Sequence, residues 1–140
     1  MKKTNLRRLL ALLLAILAAC ALTACADVEK TGDWESATHV RDEEFGTGAK
    51  TVTLKVTAGE QTLTFTIHTD KATLGEALKE HDLIVEDNGL VTTVNGIYAN
   101  WDDGQWWWCF TKNGEMMLAG VNEAEITDGA QYELTKKSGF

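Results

Sequence analysis

The sequence predicts an α+β fold, in which one short helix packs on a mixed sheet, for most of a 140-residue chain. Three observations lead to this prediction. Apolar and polar residues alternate over 51–57 and again over 62–68, with a short glycine-containing turn between them. An apolar stripe at helical spacing follows over 74–81. Short apolar runs separated by Asn-Gly and Asp-Gly turns then predict further strands.

The first 24 residues predict a lipoprotein signal peptide. Four basic residues lie within the first eight, and an unbroken apolar run covers residues 9–19. This run is too short to cross about 30 Å of hydrocarbon as a helix. The Leu-Thr-Ala-Cys motif that ends at Cys25 resembles the lipobox of bacterial lipoproteins, in which the cysteine is lipidated and becomes the first mature residue.

Two alternatives to this interpretation stay open. Cys20 ends a second Leu-Ala-Ala-Cys motif, but Cys25 is favoured because polar and acidic residues begin directly after it. A plain secretory signal, with no lipid on either cysteine, is the other alternative. The predicted location is the extracytoplasmic face of the cell membrane, with the lipid on Cys25 as the anchor.

The composition of the mature chain limits its partners. The signal removes four of the 13 basic residues and none of the 21 acidic ones, which leaves a net charge of −12. A chain this acidic is not expected to bind nucleic acid or to attach electrostatically to anionic lipid. Cys109 is then the remaining free cysteine, so no intramolecular disulfide is expected.

Residues 25–49 are polar and charged and show no apolar period, which predicts an acidic flexible tether. Trp34 and Phe45 are isolated aromatic residues within it, and His39 is expected to be solvated. The folded domain is predicted over residues 50–140, a length that suits one small domain.

Within this domain each element has a local signal. Val52, Leu54 and Val56 share one face of the first strand, and the second strand alternates in the same way. Thr73 and Glu76 have the spacing of a capping box at the start of the helix. Strands are then predicted over 83–85, 90–94, 97–98, 105–111 and 131–136.

Six short motifs follow one another along this domain. They are Thr73–Leu78, Val94–Gly96, Trp107–Phe110, Asn113–Glu115, Gly120–Val121 and Ile126–Gly129. Their order and spacing over about residues 50–137 resemble the transcobalamin-like C-terminal domain, a domain of unknown function in exported bacterial proteins. The resemblance implies a β-grasp-like fold of the soluble-ligand-binding kind. It makes cobalamin or another corrinoid one candidate ligand, although cobalamin binding is not carried over intact from the family. In animal cobalamin carriers a separate helical domain holds the other side of the corrinoid, and none is expected in these 140 residues.

An aromatic cluster is the strongest local signal for function. Six aromatic residues fall between positions 98 and 110. Trp108 is expected to be a buried packing residue, because large aromatic side chains dominate small cores. A small domain rarely buries all of its aromatic side chains, and exposed ones group at binding sites. The predicted ligand-binding residues are Tyr98, Trp101, Trp106 and Trp107.

No catalytic site is predicted, because the chain lacks a glycine-rich phosphate loop, a nucleophile elbow and paired histidine ligands. Asn100, Asp102 and Asp103 offer oxygen atoms to a cation such as Ca²⁺, but a solvated Asp-Gly turn is favoured and no metal ligand is assigned. Three functions are left open: a module that binds a planar small molecule such as a corrinoid, a module that docks an envelope protein, and a weak cation-binding domain.

Overall fold

The computed structural model describes residues 27–139. The predicted signal peptide, together with Cys20 and Cys25, lies outside the described residues, so export and lipidation stay predictions. Within 27–139, no helix is long and apolar enough to cross a membrane.

Among the described residues, nine strands and one α-helix follow a short 3-10 helix at Gly32–Ser36. The elements are β1 (Glu43–Phe45), β2 (Lys50–Ala58), β3 (Gln61–Thr69), α1 (Leu74–Glu80), β4 (Ile84–Asp87), β5 (Leu90–Val94), β6 (Ile97–Tyr98), β7 (Trp106–Lys112), β8 (Glu115–Met116) and β9 (Gln131–Ser138). A six-stranded sheet has the order β1-β3-β2-β9-β7-β8, and a three-stranded sheet has the order β4-β5-β6.

The large sheet is mixed. Strands β1 and β9 run parallel to their neighbours β3 and β2, and the other pairs in this sheet are antiparallel. The predictions of a hairpin, one short helix and a mixed sheet are therefore confirmed. The finer assignment to a β-grasp stays a prediction.

The hairpin of β2 and β3 supplies the centre of the core. Its apolar face is fully buried, whereas the alternate residues are half-buried or, at Thr62, exposed, as the period of two requires. Tyr132 and Leu134 of β9 extend this face, and Leu74 and Leu78 of α1 cover it. Burial of such side chains contributes about 1.5–3 kcal/mol each, so this layer dominates the stability of the domain.

Helix α1 begins with the predicted capping box. The Thr73 hydroxyl accepts a hydrogen bond from Glu76 N at 3.4 Å, and a Glu76 carboxylate oxygen accepts one from Thr73 N at 3.2 Å. The backbone N–H of Thr73, followed by its hydroxyl, lowers the pKa of the Glu76 carboxyl. The helix is only seven residues long, and His81, predicted on its apolar stripe, caps its end instead.

The prediction of a flexible tether over 25–49 is wrong for residues 27–49, which pack against the sheet. Trp34 is 1 % exposed, and its indole nitrogen donates to the carbonyl oxygen of Ala58 at 2.9 Å. Strand β1 pairs in parallel with β3, so this segment supplies one edge of the sheet. The folded domain therefore includes residues from about 27 onward and not from 50.

His39 is also not solvated, contrary to the expectation for this segment. Its ring is half-buried and meets the rings of Phe45 and Phe65 edge-on at 5.2 and 5.6 Å. Its Nδ1 atom lies 2.9 Å from a Glu43 carboxylate oxygen. The ring contacts explain why an apparently polar segment is fixed in place.

Candidate functional site

The four predicted ligand-binding residues come together around one cavity of about 170 Å³. We call this cavity and its walls the aromatic groove. It is lined by Leu90, Val91, Thr92, Tyr98, Ala99, Asn100, Trp101, Asp102, Trp106, Trp107 and Trp108. The groove lies between the small sheet of β5 and β6 on one side and the first half of β7 on the other. Two sheets therefore build it together.

The exposure of the aromatic side chains separates the rim of the groove from its floor. Tyr98 is 56 % exposed and Trp101 is 44 % exposed, whereas Trp106 and Trp107 are half-buried. Trp108 is 7 % exposed, which confirms its prediction as a packing residue. The groove thus offers two accessible rings above a floor of partly covered ones.

The loop between β6 and β7 fixes this arrangement. The carbonyl oxygen of Asn100 accepts from Trp106 N at 3.1 Å, and that of Trp101 accepts from Gln105 N at 3.0 Å. Gly104 has a φ of +96°, and a Cβ there would lie 2.8 Å from Trp106 Nε1. A glycine at this point allows the loop to fold tightly against the Trp106 ring.

Polar contacts hold the half-buried floor. Trp107 Nε1 donates to the carbonyl oxygen of Gly139 at 2.6 Å, near the end of the described chain. Trp108 Nε1 is buried and has no hydrogen-bond partner within residues 27–139. An unsatisfied buried donor of this kind lowers the stability of a fold by about 1–3 kcal/mol. The floor of the groove therefore contains one polar group that destabilises the domain.

An apolar surface continues from the groove, which the sequence did not indicate. A second cavity of about 340 Å³ shares Leu90, Val91, Trp107 and Trp108 with the first. It extends to Met116 and Leu118, which are 58 % and 100 % exposed. We call this surface the apolar extension. Of the six large apolar side chains exposed within 27–139, five line one of the two cavities, and Val85 is the exception.

A polar network holds the far wall of the apolar extension. Asn122 follows two lining residues, Gly120 and Val121, and it donates to a Glu86 carboxylate oxygen at 2.7 Å. Lys79 Nζ lies 2.6 Å from the other Glu86 oxygen. Burial raises the pKa of the Glu86 carboxyl, but the hydrogen bonds from Lys79 and Asn122 outweigh it and leave this pKa below its usual value.

The acidic groups beside the groove are few and exposed. Asp102 and Asp103 are exposed, and Asn100 Oδ1 accepts from Asp102 N at 3.0 Å in a local turn. No set of three or more His, Cys, Asp or Glu side chains within 27–139 is placed to hold a metal ion. Cys109 is buried and free. The groove is therefore suited to stacking and apolar contact.

A larger cavity of about 510 Å³ lies elsewhere, between the 3-10 helix and the β2–β3 turn. Its walls include the exposed residues Glu29 and Glu60 and the turn residue Gly59. It is more open than the aromatic groove and has both polar and apolar walls, and none of the exposed aromatic residues reaches it. We therefore place the candidate site at the aromatic groove.

Comparison with solved structures shows to which family this chain belongs. No profile of a known protein family matches the chain, and no curated protein matches it. The crystal structure of a candidate metal binding protein from Ruminococcus gnavus ATCC 29149 is 34 % identical, with a TM-score of 0.63, over 66 % of this chain and 100 % of that one. This chain belongs to the family of that protein. The crystal structure of haptocorrin in complex with Cbi also matches, with 19 % identity, a TM-score of 0.49 and coverage of 69 % of this chain and 27 % of haptocorrin.

Proposed function

We propose that this domain is a non-catalytic binding module that holds a flat, largely apolar small molecule in the aromatic groove. The exposure of Tyr98 and Trp101 at the rim of a concave surface is the observation that carries the proposal. Aromatic rings left accessible beside a cavity are typical of sites that stack on a planar ligand.

The finer proposal is that the ligand is a corrinoid such as cobalamin. The groove, at about 170 Å³, is smaller than the 300–1,000 Å³ of pockets that enclose a drug-sized molecule. A large flat ligand would therefore lie across the groove and the apolar extension, with its other face left open. The exposed side chains Leu90 and Leu118 enlarge the surface available to such a ligand.

Replacing Trp101 with alanine is expected to weaken corrinoid binding by about tenfold, because an aromatic stacking contact contributes about 0.5–1.5 kcal/mol beyond its area. Isothermal titration calorimetry of the mature chain with dicyanocobinamide and with cyanocobalamin measures this effect. Val85→Ala is the matched control, since Val85 is 58 % exposed and lines neither the groove nor the apolar extension. No heat of binding at high micromolar corrinoid would refute this ligand. Titrations of the same mature chain with Ca²⁺ and Zn²⁺ test whether it shares the metal binding ascribed to the Ruminococcus gnavus protein.

A second function, docking of an envelope protein, is favoured by the reach of the apolar extension. Met116 and Leu118 lie beyond the aromatic rings, in a position that enlarges the apolar surface past one small ligand. Surfaces of this kind, with a polar rim, are common at protein interfaces. Loss of corrinoid binding in Leu118→Ser would place Leu118 in the corrinoid surface, whereas retained binding would leave Leu118 available to a protein partner.

We further propose that the mature chain is exported and anchored through lipid on Cys25. With Cys25→Ser, we expect the protein to move from the detergent phase to the aqueous phase in a Triton X-114 partition of bacterial cells that express the full chain. A single acyl chain gives only marginal membrane binding, so a stable anchor requires the multiple acyl groups of a lipoprotein cysteine. Cys20→Ser is the control and should leave the partition unchanged. Loss of the detergent-phase protein with Cys20→Ser would instead assign the lipid to Cys20.

A further inference from the structure

The Lys136 side chain is almost completely covered, although it carries a charge. It is 8 % exposed, and its Nζ atom lies 2.6 Å from a carboxylate oxygen of Asp33. The same Nζ atom lies 4.8 Å from the centroid of the Trp106 ring. A buried ammonium group is costly unless it is paired, and here the Asp33 carboxylate supplies the pairing while the Trp106 ring adds a second favourable contact.

The register of the sheet explains how the lysine meets the ring. Trp106 of β7 pairs with Ser138 of β9, and Trp108 pairs with Lys136. Lys136 and Trp106 are therefore diagonal neighbours on one face of the sheet, within reach of a long side chain. This geometry brings the ammonium group over the ring.

Asp33 approaches from a distant part of the sequence. It belongs to the 3-10 helix, which is fixed to the sheet by the buried Trp34 side chain next to it. Asp33 and Lys136 are 103 residues apart along the chain. One ion pair thus connects the docked amino-terminal segment to a ring that lines the aromatic groove.

We propose that Lys136 is a positioning residue, which fixes the orientation of the Trp106 ring in the wall of the aromatic groove, and that Asp33 holds Lys136 in that place. The groove then has its binding geometry only while the 3-10 helix is docked. This inference rests on the proposed function, because it assigns Trp106 to ligand contact. The ring orientation itself is measured without any ligand.

The first experiment is spectroscopic and uses the mature chain. Each protein is also made with Trp106→Phe. Subtracting the near-ultraviolet circular dichroism spectrum of the Trp106→Phe version leaves the contribution of the Trp106 ring. Lys136→Met is expected to abolish most of this difference spectrum, and Lys136→Arg to restore it, because a guanidinium group also stacks on an indole ring. Lys137→Met is the matched control, since Lys137 is the exposed neighbour on β9.

An unchanged Trp106 spectrum in folded Lys136→Met would overturn the inference. Should Lys136→Met fail to fold, Asp33→Asn decides the matter, because the amide oxygen that it introduces can still accept a hydrogen bond from Lys136 Nζ, which therefore keeps a polar partner. Asp33→Asn is expected to reduce the difference spectrum in part, and no reduction would also overturn the inference.

The second experiment titrates the same variants with dicyanocobinamide. We expect Lys136→Met to weaken binding by about tenfold and Lys136→Arg to recover most of the affinity. Unchanged affinity in Lys136→Met would overturn the role in binding. If the unsubstituted chain does not bind the corrinoid at all, the proposed ligand is refuted, whereas the spectrum still decides whether Lys136 positions Trp106.

Discussion

Trp34→Ala is expected to lower the free energy of unfolding by about 3–5 kcal/mol, the usual cost of deleting a buried large aromatic side chain. Trp34 is 1 % exposed and is among the largest fully buried side chains within 27–139. The alanine also removes the hydrogen bond to the Ala58 carbonyl oxygen and opens a cavity under the 3-10 helix. Urea denaturation followed by far-ultraviolet circular dichroism measures the change.

Glu35→Ala is the control for this effect, since Glu35 is the next residue of the same 3-10 helix and is exposed. It should change the free energy of unfolding by no more than about 0.5 kcal/mol. A loss below about 1 kcal/mol in Trp34→Ala would contradict the docking of the amino-terminal segment, because a solvated tryptophan has little to lose.

Gly96→Ala is expected to have the second large effect, with a loss at least about 2 kcal/mol greater than that of Gly89→Ala. Both glycines follow an asparagine in a tight turn, with similar φ values of +79° and +81°. They therefore share the cost of a left-handed backbone conformation. At Gly89 a Cβ meets nothing within 4 Å, whereas at Gly96 it would lie 2.5 Å from the Ser36 carbonyl oxygen.

The difference between the two turns comes from the segment that packs on one of them. The Asn95 side chain accepts a hydrogen bond from His39 N and donates one to His39 O, each at 2.9 Å. A Cβ at Gly96 would push this segment away from the turn. Urea denaturation of Gly96→Ala and Gly89→Ala measures the two losses in the free energy of unfolding, and their difference isolates this clash because the backbone cost is the same in both. Equal losses in the two variants would show that the segment does not rest on the Asn95–Gly96 turn.

Much of the sheet could be predicted because its signals are local. The alternation in β2 and β3, the capping box at Thr73 and the Asn-Gly turns depend on residues close together in the sequence. The Asn95–Gly96 turn was predicted as a turn, and both residues have positive φ values. Its second role is to hold the amino-terminal segment through hydrogen bonds to His39. These residues are 56 positions apart in the sequence, so this contact has no local signal.

The amino-terminal segment was misread for a related reason. Its anchors, chiefly Trp34, Ala37 and Phe45, are too sparse to form a period of two or 3.6. The acidic residues around these anchors are typical of a solvated tether. Yet Asp33 pairs with Lys136, and Glu43 pairs with His39. Composition describes average solubility and cannot show that a few apolar side chains match recesses in a distant surface.

The candidate site could be predicted in part. The density of aromatic residues over 98–110 indicated a candidate segment, and the structure brings Tyr98, Trp101, Trp106 and Trp107 to one groove, while their contact with a ligand stays a prediction. The apolar extension was missed because Met116 and Leu118 have the same residue types as core positions. Only the position of β8 at the sheet edge, and of Leu118 in the loop that follows it, shows that these two side chains are exposed.

The two outermost strands of the large sheet, β1 and β8, contain three and two residues. Beside β1, the Asp42 carboxylate also occupies Thr64 N, a main-chain donor that a foreign strand would otherwise use. Short borders closed by side chains offer little continuous main chain for pairing between molecules. The outer edges of β1 and β8 therefore offer few main-chain groups through which two copies of this domain could pair.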